Sequence, residues 1–203
     1  MSQEEFQKCI DANRESIEEI REHAHMLHDS VNQRYDLNHP YSYHLDMVAD
    51  AVFKYGHLVC QREDDVLPLF FGAFYHDSIE DARMTYNDVK KGARLFMNDD
   101  QAYMAAEMVY ALTNDKGRTR AERAGEHYYA GIRETPYAPF LKLADRLANI
   151  TYSCSGTDVM NTHMKQVYSE EFPHFIEAIN AHSDDPRQRL PQEMINEIHH
   201  QLQ

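Results

Sequence analysis

The sequence predicts an all-α protein, a single helical bundle of about eight helices. Three observations carry that expectation. Apolar residues recur at helical spacing through almost all of the 203 residues. No stretch alternates apolar with polar residues as a half-buried strand would. The breaks between periodic segments hold only loop-type residues, such as those at 114–117, 155–156 and 183–186. Hydrophobic residues make up 42% of the chain, with seven Gly and seven Pro. That composition belongs to a packed core rather than a disordered or fibrous chain, and the length suffices to bury one.

Taken in order, Phe6, Ile10, Ile17, Ile20, Ala24, Leu27 and Val31 place an apolar stripe on a first helix. Asn38-His39-Pro40 interrupts the chain. A second helix is expected from about Ser42 to Cys60, with Leu45, Val48, Ala49, Val52 and Phe53 inward. The segment 66–75 is apolar without alternation and runs on into polar residues, which favours a buried helix over a strand. Thr85 with Asp88 three residues on resembles an N-cap signal for the next helix. Further helical patterns cover roughly 99–113, 118–133, 139–153, 158–182 and 191–202. No repeat, low-complexity tract or linker divides them, so one domain is expected over 1–203.

The net charge is −14 with histidines neutral. Such a surface repels nucleic acid and anionic membranes, which demand a basic footprint. No apolar run reaches the roughly 18 residues of a membrane span, and Met1–Asp11 has no signal-peptide pattern. Cys9, Cys60 and Cys154 are scattered and odd in number, which favours reduced thiols and a cytoplasmic location. A phosphorylated substrate would need a metal ion and a few local cations to reverse the field. Thirteen histidines supply the usual ligands. Those in strongly polar stretches, His23, His25, His28, His199 and His200, read as surface residues.

The informative segment is Phe70-Phe71-Gly72-Ala73-Phe74-Tyr75-His76-Asp77-Ser78-Ile79-Glu80-Asp81. Four ionisable groups follow directly on an apolar run, where charge is costly unless paired or bound to metal. On a helix His76 and Asp77 converge on one ion. Glu80 and Asp81 stand one turn further along the same face. Pro40-Tyr41-Ser42-Tyr43-His44 sets His44 at the start of the second helix. Lys142-Leu143-Ala144-Asp145-Arg146-Leu147-Ala148-Asn149 sets Asp145 inside an apolar turn, where a cation is its natural partner. His44, His76, Asp77 and Asp145 make a two-nitrogen, two-oxygen ligand set without thiolates, suited to a borderline-to-hard divalent ion.

A histidine, then a His-Asp pair, then a lone Asp, on an all-α chain, resembles the HD phosphohydrolase superfamily. The closer likeness is to its (p)ppGpp hydrolase branch, the hydrolase half of Rel/Spo-type enzymes and small stand-alone alarmone hydrolases. It is carried by His76-Asp77-x-x-Glu80-Asp81, by Lys142 to Asn149, by Pro40-Tyr41-x-x-His44 and by Leu112-Thr113-Asn114-Asp115-Lys116. It spans about Asp29 to Phe175, flanked by terminal helices, with no synthetase domain or regulatory tail expected. The chain departs from the pattern at Asn38-His39, where a glycine stretch is usual, and keeps only Arg34 of an upstream basic pair. Ala82 stands where threonine is common, and 96–105 lacks the usual Phe-Gly.

The resemblance implies Mn²⁺-dependent hydrolysis of a 3′-pyrophosphate ester, ppGpp giving GDP and pyrophosphate. In that scheme His44, His76, Asp77 and Asp145 hold the metal, and Glu80 and Asp81 orient and deprotonate the attacking water. Asn149 bonds a ribose hydroxyl and Arg34 stacks on the base. Lys116, Arg118, Arg120 and Lys142 are the cations nearest the site in sequence. The tyrosine pairs Tyr41/Tyr43 and Tyr128/Tyr129 read as core or rim aromatics. Two alternatives stand beside this: another HD nucleotide phosphohydrolase or nucleotidase, and a non-catalytic nucleotide-binding module.

Overall fold

A computed structural model describes residues 1–203, apart from the side chains of Arg120 and Ala121. Among the described residues it is all-helical: ten α-helices, one four-residue helical turn and three 3₁₀ turns, with an isolated bridge between Arg34 and Pro40 as the sole extended pairing. The helices are α1 (Gln3–Ala12), α2 (Arg14–Ser30), α3 (Ser42–Tyr55), α4 (Val66–Tyr75), α5 (Tyr86–Ala93), α6 (Asp99–Leu112), the turn α7 (Arg120–Arg123), α8 (Glu126–Glu134), α9 (Ala138–Ser155), α10 (Val159–Ile179) and α11 (Gln192–Leu202). None is long and apolar enough to cross a membrane. The three cysteines are unpaired.

The ten helices and one turn exceed the expected count of about eight: all nine periodic stretches form helix, and two of them are each divided. Asn13 ends α1, its backbone N–H on the carbonyls of Cys9 and Ile10 and its side-chain amide 2.8 Å from Cys9 O. The apolar stripe continues across that break. Gly125, extended at φ −87° and ψ −177°, separates α7 from α8. The second expected helix stops at Tyr55 rather than Cys60 and gives way to a 3₁₀ turn, Gly56–Leu58. A Cβ on Gly56 would stand 2.5 Å from Phe6 Cζ, so the glycine lets α1 dock there.

All ten residues of α4 are buried, as its unbroken apolar run requires. It lies at the centre, packed against α2, α3, α6 and α9. Its hydrophobic environment joins Phe6 and Ile10 of α1 to Met194 and Ile198 of α11 in one core. The burial of these apolar side chains is the main force assembling the bundle. Of the inward set expected on α3, Leu45, Val48, Ala49 and Val52 are buried, whereas Phe53 is 42% exposed. Its ring instead covers Phe70 from outside, 4.5 Å between centroids. Thr85 does cap α5: its hydroxyl accepts from Asp88 N and the Asp88 carboxylate accepts from Thr85 N. These elements bring the start of α3, the end of α4 and the middle of α9 to one place.

Candidate metal centre and adjoining cleft

His44 sits in the first turn of α3, His76 and Asp77 where α4 ends, and Asp145 midway along α9. The two imidazoles face each other through their Nε2 atoms, 3.1 Å apart. Asp145 Oδ1 lies 3.4 Å from His44 Nε2 and 3.9 Å from His76 Nε2. One ligand atom from each of His44, His76 and Asp145 falls within 4.8 Å of the others. Asp77 Oδ2 is 2.9 Å from His76 Nε2 and 3.7 Å from His44 Nε2. The structure thus gathers all four residues, with three mutually convergent and Asp77 reaching both rings from the side.

The donor set fits a divalent ion. His76 Nδ1–H donates to Ala73 O at 2.8 Å, which fixes the ring and, in the neutral form that ligation would require, leaves Nε2 as the lone-pair donor. The Nε2 atoms of His44 and His76, 3.1 Å apart, stand close enough for one ion to meet both. Burial disfavours the charged form of His76, but the carboxylates of Asp77 and Asp145 outweigh it and hold its pKa up at about 9. Burial opposes ionisation of Asp145 and Asp77 too. Lys142 with the two imidazoles holds the Asp145 carboxyl well below the usual range, and His76 does the same for Asp77. A buried set so dependent on opposite charge is the electrostatic pattern of a cation site.

Glu80 is not free beside the ligands. Its carboxylate accepts from Asn114 N at 2.6 Å and from Asn114 Nδ2 at 3.1 Å. Asp81 is half-buried, and its burial and the nearby Asp77 carboxylate push its carboxyl pKa up. That raised value suits a group that takes up a proton.

A cleft of about 670 Å³ opens beside Asp145, walled by α8, α9 and α10. Lys142, Asp145, Arg146 and Asn149 face it from α9, at the i, i+3, i+4 and i+7 positions of one helical face. Lys142 Nζ is 2.9 Å from Asp145 Oδ2. Arg146 pairs with Glu171 at 3.2 Å and lies over the rings of Tyr168 and Phe175, 4.8 and 4.4 Å from their centroids. Arg123 also lines the cleft. Arg123 and Arg146 went unnoticed in the sequence, although the 142/145/149 spacing already marked the face that carries Arg146.

Other expected substrate contacts lie elsewhere. Arg34 is exposed and its guanidinium is turned onto its own loop, Nε 3.3 Å from Asp36 O and Nη2 3.4 Å from Leu37 O. Neither Arg34 nor Lys116 lines the cleft. Lys116 and Arg118 are exposed on the loop before α7. The side chain of Arg120 lies outside the described residues. Asn149 is in the cleft wall, but both ends of its carboxamide are engaged internally. Nδ2 donates to Asp145 Oδ1 at 2.7 Å and Oδ1 accepts from Tyr35 at 3.0 Å.

Of the histidines read as surface residues, one is buried and two are only partly exposed. His28 is fully buried, and neither ring nitrogen has a partner. His25 bonds Asp46 at 2.9 Å, and His23 is hydrogen-bonded to the Tyr75 hydroxyl. Polar neighbours misled: His28 is four residues beyond Ala24 on the buried stripe of α2. His199 and His200 are exposed as expected. Tyr41, read as a core or rim aromatic, is buried at the site, with its hydroxyl on Asp77. Compared with models of known protein families, with curated proteins and with solved structures, the chain matches none.

Proposed function

We propose that this chain is a divalent-metal-dependent phosphohydrolase of the HD type that removes pyrophosphate from the 3′ position of guanosine polyphosphates. The observation that carries the reading is the convergence of His44, His76 and Asp145, with Asp77 beside them. It occurs at the edge of a cleft holding Lys142, Arg146 and Arg123. On a chain of net charge −14, that pocket of cations is where a polyphosphate would be tolerated.

A divalent ion, with Mn²⁺ the choice the sequence resemblance suggests, would polarise a phosphoryl oxygen and lower the pKa of water. His44, His76, Asp77 and Asp145 would hold it. Asp81, with its raised pKa, accepts the proton of the attacking water. Glu80, steadied by Asn114, orients that water. Lys142 and Arg146 receive phosphate oxygens. The balance is simple: ppGpp and water give GDP and pyrophosphate.

A second reading has a specific observation behind it. Arg34, the base-stacking residue that the resemblance implies, is turned onto its own loop, so guanine recognition lacks that support. On this reading the chain is a nucleotide phosphohydrolase of other base or phosphate preference. The test is Mn²⁺-supplemented hydrolysis of ppGpp, pppGpp, adenine alarmones, NADPH and deoxynucleotides, with chromatography of products. Release of intact pyrophosphate from ppGpp, with little action on GTP, supports the first reading. Orthophosphate release, or preference for a monophosphate, supports the second.

A further inference from the structure

Each carboxylate of the candidate metal centre is held by a tyrosine, one directly and one through an asparagine. The Tyr41 hydroxyl donates to Asp77 Oδ2 at 2.5 Å. The Tyr35 hydroxyl donates to Asn149 Oδ1 at 3.0 Å, and Asn149 Nδ2 donates in turn to Asp145 Oδ1 at 2.7 Å. The same two rings flank His44. Tyr35 lies parallel to its imidazole, 5.1 Å between centroids and 6° between planes, and Tyr41 meets it edge-on at 5.6 Å. Tyr35 and Tyr41 then touch each other edge to face at 6.3 Å.

The rings are themselves fixed. His28 stacks on the back of Tyr41, 4.7 Å between centroids and 16° between planes. Since neither nitrogen of His28 has a partner, its contribution there is a flat ring face. Tyr152 abuts Tyr35 at 4.8 Å. A carboxylate rotates about its last bond, and a ligand that must first be oriented binds its ion more weakly than one already held in place.

We propose that Tyr35 and Tyr41 are positioning residues of the metal centre: together they orient Asp77 and Asp145 and confine the ring of His44 between them. The proposal rests on reading His44, His76, Asp77 and Asp145 as a divalent-cation site. On this proposal neither tyrosine ligates the ion. Both act through the ligands.

The experiment is a calorimetric titration of chelator-stripped protein with Mn²⁺, beside a thermal melt of the same metal-free samples. Tyr35→Phe and Tyr41→Phe keep the rings and remove only the hydroxyls. Each is expected to weaken the Mn²⁺ Kd by about 10-fold or more, the usual scale for losing a partner of a metal ligand, while the metal-free melt stays a single cooperative transition. In an Asn149→Ala background, Tyr35→Phe should have no further effect on Kd, because its route to Asp145 is already cut. A Kd within twofold of wild type in both variants overturns the proposal, whatever happens to the melting temperature. An undiminished Tyr35→Phe effect in the Asn149→Ala background overturns the Asn149 route. Wild-type protein that takes up no Mn²⁺ overturns the metal-site reading itself, an outcome separate from the other two.

Discussion

Asn114 holds both carboxylate oxygens of Glu80, with its backbone N–H on Oε1 and its side-chain amide on Oε2. The loop after α6 is thereby tied to the turn after α4, and the acid that would orient water has a fixed direction. Glu80→Gln should retain its metal and lose kcat by about 10²-fold or more, the scale of a positioned acid–base group. Asn114→Ala keeps the backbone bond and loses only the amide. Removing one hydrogen bond of about 1 kcal/mol should lower kcat about fivefold. Steady-state kinetics with metal analysis decide it: normal turnover in Glu80→Gln would remove Glu80 from the chemistry.

The ligand set predicts a sharper loss. Asp145→Ala should abolish bound Mn²⁺ and turnover together, and Asp77→Ala should do the same. The two differ in their metal-free stability. Lys142 is paired with Asp145 at the cleft wall, its side chain largely covered, so Asp145→Ala leaves a mostly buried ammonium without its carboxylate. Breaking one partner of a buried pair costs about 3–5 kcal/mol. Asp77 faces the His76 ring instead of an ammonium, and an imidazole sheds its proton far more readily than a lysine when its carboxylate is removed, so the loss of Asp77 should disturb the fold less. Elemental analysis showing stoichiometric Mn in either variant would sink the ligand assignment, and equal melting temperatures would sink the stability argument.

The helical class and the residues that converge at the candidate site are legible because they rest on short-range pattern. Helical spacing marked the periodic segments, and ionisable groups inside apolar runs, His76-Asp77 after α4 and Asp145 in α9, marked where charge had to be compensated. Pairings set by tertiary packing left no such trace. Tyr35 reaches Asn149 across 114 positions and Asn114 reaches Glu80 across 34. Neither contact follows from spacing along one helix. Arg34 shows the converse: a position can match a pattern while its side chain bonds its own loop.

Asp46 predicts the acid limb of stability. Its carboxylate is forked onto Arg21 at 2.8 and 2.9 Å and bonded to His25 at 2.9 Å. Burial opposes its charge, but Arg21 and His25 prevail and lower its pKa to about 2. A carboxyl depressed on folding contributes stability above its unfolded value of 3.8, and that contribution is lost as pH falls from there through about 2. Asp46→Asn should therefore melt lower than wild type at pH 6, with the gap closing below pH 4. A constant gap across that range in a pH series of melts would show that Asp46 titrates alike folded and unfolded.

His28 predicts the opposite residue type acting in a higher window. Burial lowers its pKa from 6.5 to about 4, the carboxylate of Asp77 only partly opposing this. The folded protein keeps the ring neutral while the unfolded chain protonates it. Stability linked to His28 is therefore whole above pH 6.5 and is lost as pH falls from there towards 4, because the unfolded state binds the extra proton. One pKa unit corresponds to about 1.36 kcal/mol, so this window amounts to on the order of 3 kcal/mol. His28→Phe keeps a ring against Tyr41 and cannot titrate. It also removes two buried nitrogens that have no partner, so it should be at least as stable as wild type at pH 7. Urea unfolding of the metal-free proteins at pH 7, 6, 5 and 4 isolates the effect, since groups common to both cancel in the difference. The variant's advantage should widen by roughly 3 kcal/mol between pH 7 and pH 4. Parallel stability curves would mean that His28 stays neutral in the unfolded chain or gains a proton in the folded one.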